Sequence, residues 1–237
     1  IADSASDHMA IRKVCADSVT GRVNKYCVIE TICGGNGEGW NGLGGPAKDA
    51  QLGLISDLTV DGDDHLYLLD GFSGYVCKID LKQANPTIEM IVRNSMGEPS
   101  LWSLEVDNKQ GAASKIFVGS FFVHGGIDVY DANTGDWLDN FFPKNIASPT
   151  TGLFVTKSND FYVANEAWVF KQDRSQAGWH FEEVQSSDIE IVKGPGNTSK
   201  YTTGYWALPG VSSGGGMLAL GGKIVVNSAG KVISNNT

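Results

Sequence analysis

The sequence predicts an all-β chain of repeated four-stranded units, which is the architecture of a β-propeller. Three observations lead to this prediction. Short apolar strands recur about every 45–65 residues, turn residues separate them, and no stretch of the 237 residues shows the 3.6-residue period of a helix. A sandwich or a barrel also has short strands, but a repeat that carries four strands selects the propeller, whose blades are four-stranded sheets.

The first two strands of the unit carry the pattern most clearly. The inner strands are Leu58–Asp61, Leu104–Asp107, Gly152–Val155 and Met217–Leu220, and a tight turn follows each of them. The second strand is an apolar run that ends in a small or polar residue. Its copies are Ile1–Asp3, Leu66–Asp70, Ile116–Gly119, Phe161–Asn165 and Ile224–Asn227.

The repeat divides residues 1–237 into about four to five blades of a single propeller domain or propeller segment. We expect a partial blade at 1–33, a connector at 34–50, blades at 51–94, 97–147 and 148–190, a loop at 191–212 and a partial blade at 213–237. The first copy begins at its second strand, so the ring is either incomplete or closed by pairing of the two chain ends. Because an open ring exposes edge strands, we expect a segment of a longer protein or a partner chain that covers those edges.

The first third of the chain resembles the NHL-repeat family of propellers. Ile1–Ser4 followed by Ile11–Val14 is similar to the start of an NHL blade, and the glycine-rich stretch Gly34–Gly45 is similar to the connector between blades. The pattern continues to Lys78–Asp80 and becomes weaker after residue 81. The family connector commonly carries an acidic residue where Leu43 stands here. The resemblance implies a propeller of four-stranded blades.

Charge and motif spacing exclude several kinds of ligand. The net charge is −9 and no Lys/Arg cluster is present, so we expect neither nucleic acid nor an anionic membrane surface as a partner. No apolar run approaches the roughly 20 residues of a membrane-spanning helix, so direct membrane insertion is not expected. We expect no cofactor and no metal site, since none of the four histidines has zinc-ligand spacing. These are His8, His65, His124 and His180.

Two acidic or serine-containing motifs are explained better by turns than by chemistry. Asp61–His65 lacks the Gly and the acidic residue that an EF-hand loop needs at its sixth and twelfth positions, and it fits a hairpin turn. Gly210–Gly214 matches the G-x-S-x-G pattern, but no strand precedes it and no helix follows. We therefore assign no catalytic residue.

The cysteines and two sequence triplets favour an oxidising compartment. Cys15 and Cys27 are symmetric about Gly21, so a hairpin centred there would place them opposite each other, and we predict that they pair. Cys33 is then expected to pair with Cys77 on the neighbouring blade. The triplets that begin at Asn197 and Asn235 are glycosylation acceptors. Together they predict a secreted protein or one in an organelle lumen; four buried thiols in a reducing compartment are the alternative.

The predicted function is a non-catalytic binding or scaffold module that engages a protein partner within a larger secreted or lumenal assembly. Trp40 in the connector either contacts this partner or packs over the next blade. Two alternatives are a propeller hydrolase or lyase with a metal in the central channel, and a carbohydrate-binding module. The loops on one side of the propeller would form the binding face, with Trp40, Asn41, Asp70, Phe72, His124, Asn165, Glu166, Tyr201 and Tyr205.

Overall fold

The chain is all-β in the part that the computed structural model describes. Apart from a one-turn 3-10 helix at Ala47–Asp49, every regular element in this part is a strand. The described residues are 1–5, 8–15, 27–93, 101–120, 126–141, 150, 152–164, 169–184, 189–193, 224–226 and 232–236.

Sheet 1 consists of three antiparallel strands, β1 (Ala2–Ala5), β2 (His8–Val14) and β3 (Ile29–Gly34), in the order β1-β2-β3. Among the described strands, β1 pairs only with β2. The connector that follows β3 is rich in left-handed glycines, among them Gly42 and Gly44 with φ of 85° and 81°. Glycine adopts these angles without the steric cost that a Cβ would add, so the connector turns tightly before sheet 2.

Sheets 2, 3 and 4 are antiparallel, four-stranded and arranged in chain order from the inner strand to the outer strand, as the repeat predicts. Sheet 2 contains β4 (Ile55–Val60), β5 (His65–Asp70), β6 (Tyr75–Asp80) and β7 (Ile88–Arg93). Sheet 3 contains β8 (Leu101–Val106), β9 (Lys115–Ser120), β10 (Ile127–Asp131) and β11 (Trp137–Phe141). Sheet 4 contains β12 (Gly152–Val155), β13 (Phe161–Ala164), β14 (Val169–Gln172) and β15 (Phe181–Glu183).

Successive sheets are packed together through buried clusters of apolar side chains. Alternate residues of a strand point to opposite faces, so β5 contributes Leu68 to the cluster with sheet 1, and Tyr67 and Leu69 to the cluster with sheet 3. In the same way, β9 places Val118 toward sheet 2 and Phe117 toward sheet 4. Burial on both faces explains why these strands read as continuous apolar runs. The arrangement is consistent with propeller blades.

The inner strands β4, β8 and β12 lie next to one another, and acidic side chains join them. The carboxylate of Asp57 accepts the backbone N–H of Leu104 at 2.9 Å, and that of Glu105 accepts the N–H of Val155 at 3.2 Å. Glu105 also forms an ion pair with Lys109, which compensates its buried charge. Each inner strand is thus bonded to the next by a side chain as well as by packing.

The turns between the first and second strands of sheets 2, 3 and 4 are also hydrogen-bonded to one another. These turns lie at the end of the sheets opposite residues 70–75. The N–H of Gly62 donates to the carbonyl of Gly111 at 2.9 Å. The N–H of Asn108, in that same turn of sheet 3, donates to the side-chain oxygen of Asn159 in sheet 4 at 3.0 Å. A Cβ on Gly62 would overlap the backbone of Gln110, so only glycine allows this approach.

Sheet 5 is a mixed sheet of β16 (Ile189–Lys193), β17 (Ile224–Val226) and β18 (Val232–Asn236), in the order β16-β18-β17. β17 pairs with β18 in antiparallel, and it lies within the expected second strand Ile224–Asn227. β16 pairs with β18 in parallel, and it crosses the boundary expected at residue 190, so the expected loop at 191–212 begins with strand residues. The expected inner strand Met217–Leu220 lies outside the described residues, and no described strand joins sheet 5 to sheet 1.

Candidate functional site

The connector meets sheet 2 at Trp40. The indole N–H of Trp40 donates to Asp70 Oδ2 at 2.9 Å, and its ring stands edge-on to Tyr75, with centroids 5.4 Å apart. Gly53 lies against this bond, because a Cβ there would overlap Asp70 Oδ2. Trp40 is only partly exposed. It therefore packs over the neighbouring sheet, which is one of the two interpretations open from the sequence.

Asp70 holds the loop that connects β5 to β6. Its side chain is buried, and Oδ1 accepts the backbone N–H groups of Phe72 and Ser73, each at 2.9 Å. The N–H of Gly74 donates to the carbonyl of Asp70, also at 2.9 Å. These bonds, with that from Trp40, satisfy a carboxylate that would otherwise be costly to bury, and they fix the backbone of the loop.

Phe72 and Leu54 are exposed on this fixed frame. Phe72 is 73% exposed and Leu54 is 56% exposed. They lie at the same end of sheet 2, because Ile55 pairs with Asp70 across β4 and β5. We call Leu54, Phe72 and the exposed part of Trp40 the Phe72 surface. The sequence reasoning missed Leu54 because it follows a glycine just before a strand, where no turn or motif signal marks it.

The structure brings together Trp40, Asp70 and Phe72 of the predicted binding face. Asn41 is exposed in the same connector as Trp40, and its side-chain amide donates to Gln51 Oε1 at 2.7 Å. The remaining predicted residues lie outside the described part of the chain. They are His124, Asn165, Glu166, Tyr201 and Tyr205.

Asp61–His65 forms the turn between β4 and β5. The carboxylate of Asp61 accepts the N–H groups of Asp63 and His65 at 2.9 Å, and it also contacts His65 Nδ1 at 2.9 Å. Burial raises the pKa of Asp61. Hydrogen bonds outweigh this effect and hold the pKa below its ordinary value, and the largest contribution among them comes from the N–H of Ala113 in sheet 3. Asp61 thus serves the turn and the junction of two sheets. Within the described residues, no three or more His, Cys, Asp or Glu side chains lie close enough to share a metal ion.

The structure contains neither of the two predicted disulfides: Cys15, Cys33 and Cys77 are thiols. The register of β2 and β3 explains the first case. Val14 is opposite Ile29, and Cys15 donates its N–H to the carbonyl of Val28, so the register is offset by one residue from the symmetric hairpin and Cys27 does not face Cys15. Side chains one position apart in a strand point to opposite faces.

Cys33 and Cys77 lie in the same buried cluster, between sheets 1 and 2. Burial raises the pKa of each thiol to about 12, and backbone hydrogen bonding to Cys33 opposes this only in part. Both therefore stay protonated near neutral pH, the form that packs as a small apolar side chain.

Of the two predicted glycosylation acceptors, one lies within the described residues. Asn235 lies in β18, in register with Val192 of β16. Asn197 lies outside the described residues.

The described part of the chain has no helix that is both long enough and apolar enough to cross a membrane. No protein-family model matches the chain, and no curated protein matches it.

Proposed function

We propose that the chain is a non-catalytic binding or scaffold module of the NHL-like propeller type, and that it holds a protein partner on the Phe72 surface. The observation that carries the proposal is Phe72 itself, 73% exposed on a backbone fixed by Asp70. Large aromatic side chains dominate binding energy at protein interfaces. A loop whose backbone is already ordered loses little conformational entropy when a partner binds, so this loop is suited to a permanent contact surface.

The sheets support the propeller part of the proposal. Sheets 2, 3 and 4 share one strand order, and each is packed on the next through a buried cluster. The glycine-rich connector places Trp40 on sheet 2 in the manner of a link between blades. Both oxygens of Asp70 accept hydrogen bonds from the protein, so this carboxylate holds the surface together. A secreted or lumenal assembly is part of the same proposal, supported by the two Asn-x-Ser/Thr triplets.

A site-specific crosslinking experiment tests the binding surface. A photoreactive phenylalanine analogue is placed at position 72, and in a matched control at position 28, where Val28 is 67% exposed just before β3 of sheet 1. We expect a protein adduct from an extract of the source cells at position 72 and none at position 28. Phe72→Ala should remove the partner from affinity capture while changing the free energy of unfolding by less than about 0.5 kcal/mol, the usual range for a surface substitution.

Two results would contradict the proposal. One is an equal adduct at both positions, which would indicate nonspecific contact. The other is a partner that binds the Phe72→Ala variant as well as it binds the unaltered chain.

A further inference from the structure

The outer strand of sheet 3 exposes two large apolar side chains. Trp137 is 58% exposed and Leu138 is 46% exposed, both on β11 at the edge of the sheet. A bulge between Val129 and Tyr130 of β10 leaves Trp137 opposite Tyr130 and adds Leu138 to the outer strand. No described strand pairs with the outer side of β11. As far as the described strands show, an indole ring thus stands at a sheet edge whose backbone is not paired on its outer side.

Polar groups border the ring on one face of the sheet. The indole N–H of Trp137 donates to Asp128 Oδ1 at 3.4 Å, and the side-chain amide of Asn140 donates to the same oxygen at 2.7 Å. Asp128 and Asn140 are register partners, so their side chains share a face. Among the described residues, Asp128 Oδ2 accepts no hydrogen bond, so it remains an acceptor for another donor.

The charge around the ring is mainly negative. The chain from 115 to 141 contains Asp128, Asp131, Asp136 and Asp139 against one Lys, Lys115, which is the register partner of Asp131. None of these carboxylates takes part in an ion pair with a described residue. Within the described residues, β10, β11 and the turn between them therefore carry an excess of negative charge, which attracts cations.

We propose that this surface binds an arginine-bearing basic segment of a partner polypeptide. We call Trp137, Asp128, Asn140 and Leu138 the Trp137 surface. A guanidinium group can stack on an indole ring while one of its N–H groups donates to a carboxylate oxygen, and here the ring and the open Oδ2 of Asp128 lie side by side. An extended segment along β11 would add backbone pairing and contact Leu138. The proposal is independent of the Phe72 surface, which lies on sheet 2.

Calorimetric titration with synthetic peptides tests the proposal. Peptides of equal length that alternate Gly with Arg, with Lys or with Glu are added to the full chain. We expect the Arg peptide to bind more tightly than the Lys peptide, and the Glu peptide not to bind. Trp137→Ala and Asp128→Asn should each weaken the Arg peptide by about fivefold or more, as expected for an exposed cation–π contact or ion pair.

Asp49→Asn is the matched control, because it removes one exposed charge from the connector. It should change the Kd by less than about twofold, because Asp49 lies in the connector and is not part of the Trp137 surface. If it weakens binding as much as Asp128→Asn does, only net charge matters and the proposal is wrong. Failure of the Arg peptide to bind, or binding of a neutral oligosaccharide instead, would also overturn it.

Hydrogen exchange on the unaltered chain gives a second readout that needs no variant. The Arg peptide should slow amide exchange in β11 and leave β7, the outer strand of sheet 2, unchanged. Binding without protection of β11 would place the peptide elsewhere and overturn the proposal.

Discussion

At the scale of the residue, Trp40 stabilises the junction between the connector and sheet 2. We predict that Trp40→Phe lowers the free energy of unfolding by about 1–3 kcal/mol, because it leaves the buried Oδ2 of Asp70 without its donor. Urea denaturation measures this difference. Trp137→Phe is the control. Because Trp137 is exposed, this substitution should change the free energy of unfolding by less than about 0.5 kcal/mol. Equal effects of the two substitutions would show that the bond to Asp70 contributes little.

Single residues differed in how far the sequence could predict them. Asp61 was predicted to serve a turn, since local spacing determines an Asx-type turn and the turn is what the structure shows. Trp40 left two interpretations open, because its partner Asp70 is 30 residues away. The pairing predicted for Cys15 depended on a symmetric hairpin, and a one-residue offset in the register of β2 and β3 was enough to remove it.

At the scale of the element, adjacent sheets approach each other closely at glycine positions. We predict that Gly71→Ala lowers the free energy of unfolding by about 1–3 kcal/mol, the usual cost of overpacking. The added methyl would overlap the carbonyl oxygen of Leu101 in sheet 3, and the N–H of Leu101 is bonded to Gly71, so the two sheets would have to separate. Urea denaturation is again the measurement.

Gly45→Ala is the matched control, because its methyl would come no closer than 3.2 Å to a backbone atom. A loss of stability from Gly45→Ala as large as that from Gly71→Ala would mean that backbone freedom, and not contact between sheets, determines the cost.

Strands buried on both faces were the easiest elements to predict. β5 is a run of five buried residues out of six, so it reads as an apolar block. A fourth strand was expected in the unit at 97–147, but the bounds of β11 were not predicted, because the first four of its five residues are exposed and it lacks alternation. β16 was missed because part of it falls where glycine and proline begin a polar stretch, and its partner β18 lies about 40 residues later in the chain.

At the scale of the whole molecule, one turn recurs after the third strand of sheets 2, 3 and 4. Asp80, Asp131 and Asp173 each accept a backbone N–H two residues later. Hydrogen bonds hold the pKa of each carboxyl below its ordinary value, mainly those from the N–H of Lys82, the N–H of Thr134 and the Ser175 hydroxyl. The pKa of Asp61 is also lowered.

We predict that the molecule loses stability in acid. A carboxyl whose folded pKa lies below its unfolded value of about 3.9 stabilises the fold at higher pH, and this contribution is lost as the pH falls through the folded pKa. The Tm should therefore be nearly constant above about pH 5 and decrease below about pH 4. Calorimetric scans between pH 7 and pH 3 measure this dependence.

The triple variant Asp80→Asn, Asp131→Asn, Asp173→Asn checks the cause. Asparagine also favours these turns but does not titrate, so the Tm of the variant should depend less on acid. An unchanged acid dependence would assign the effect to other carboxyls.

The order of strands within sheets 2, 3 and 4 followed from the sequence because each sheet is made from one continuous stretch with short turns. Closure of a ring would depend on pairing between residues more than 200 positions apart, such as those of β1 and β17. No local pattern of turn or alternation specifies such a pair, which is why the sequence left open and closed rings as alternatives.

The series of bonds between Gly62, the turn at Asn108 and Asn159 has an evolutionary consequence. The turn of sheet 3 both accepts from the turn before it and donates to the turn after it. A tandem duplication of such a unit would bring its own donor and its own acceptor, but the donor that approaches a turn like that of sheet 3 has to be glycine, as it is at Gly62. Chains of this kind can gain a repeat in one genetic event, and a substitution to glycine at the new junction would then complete the bond.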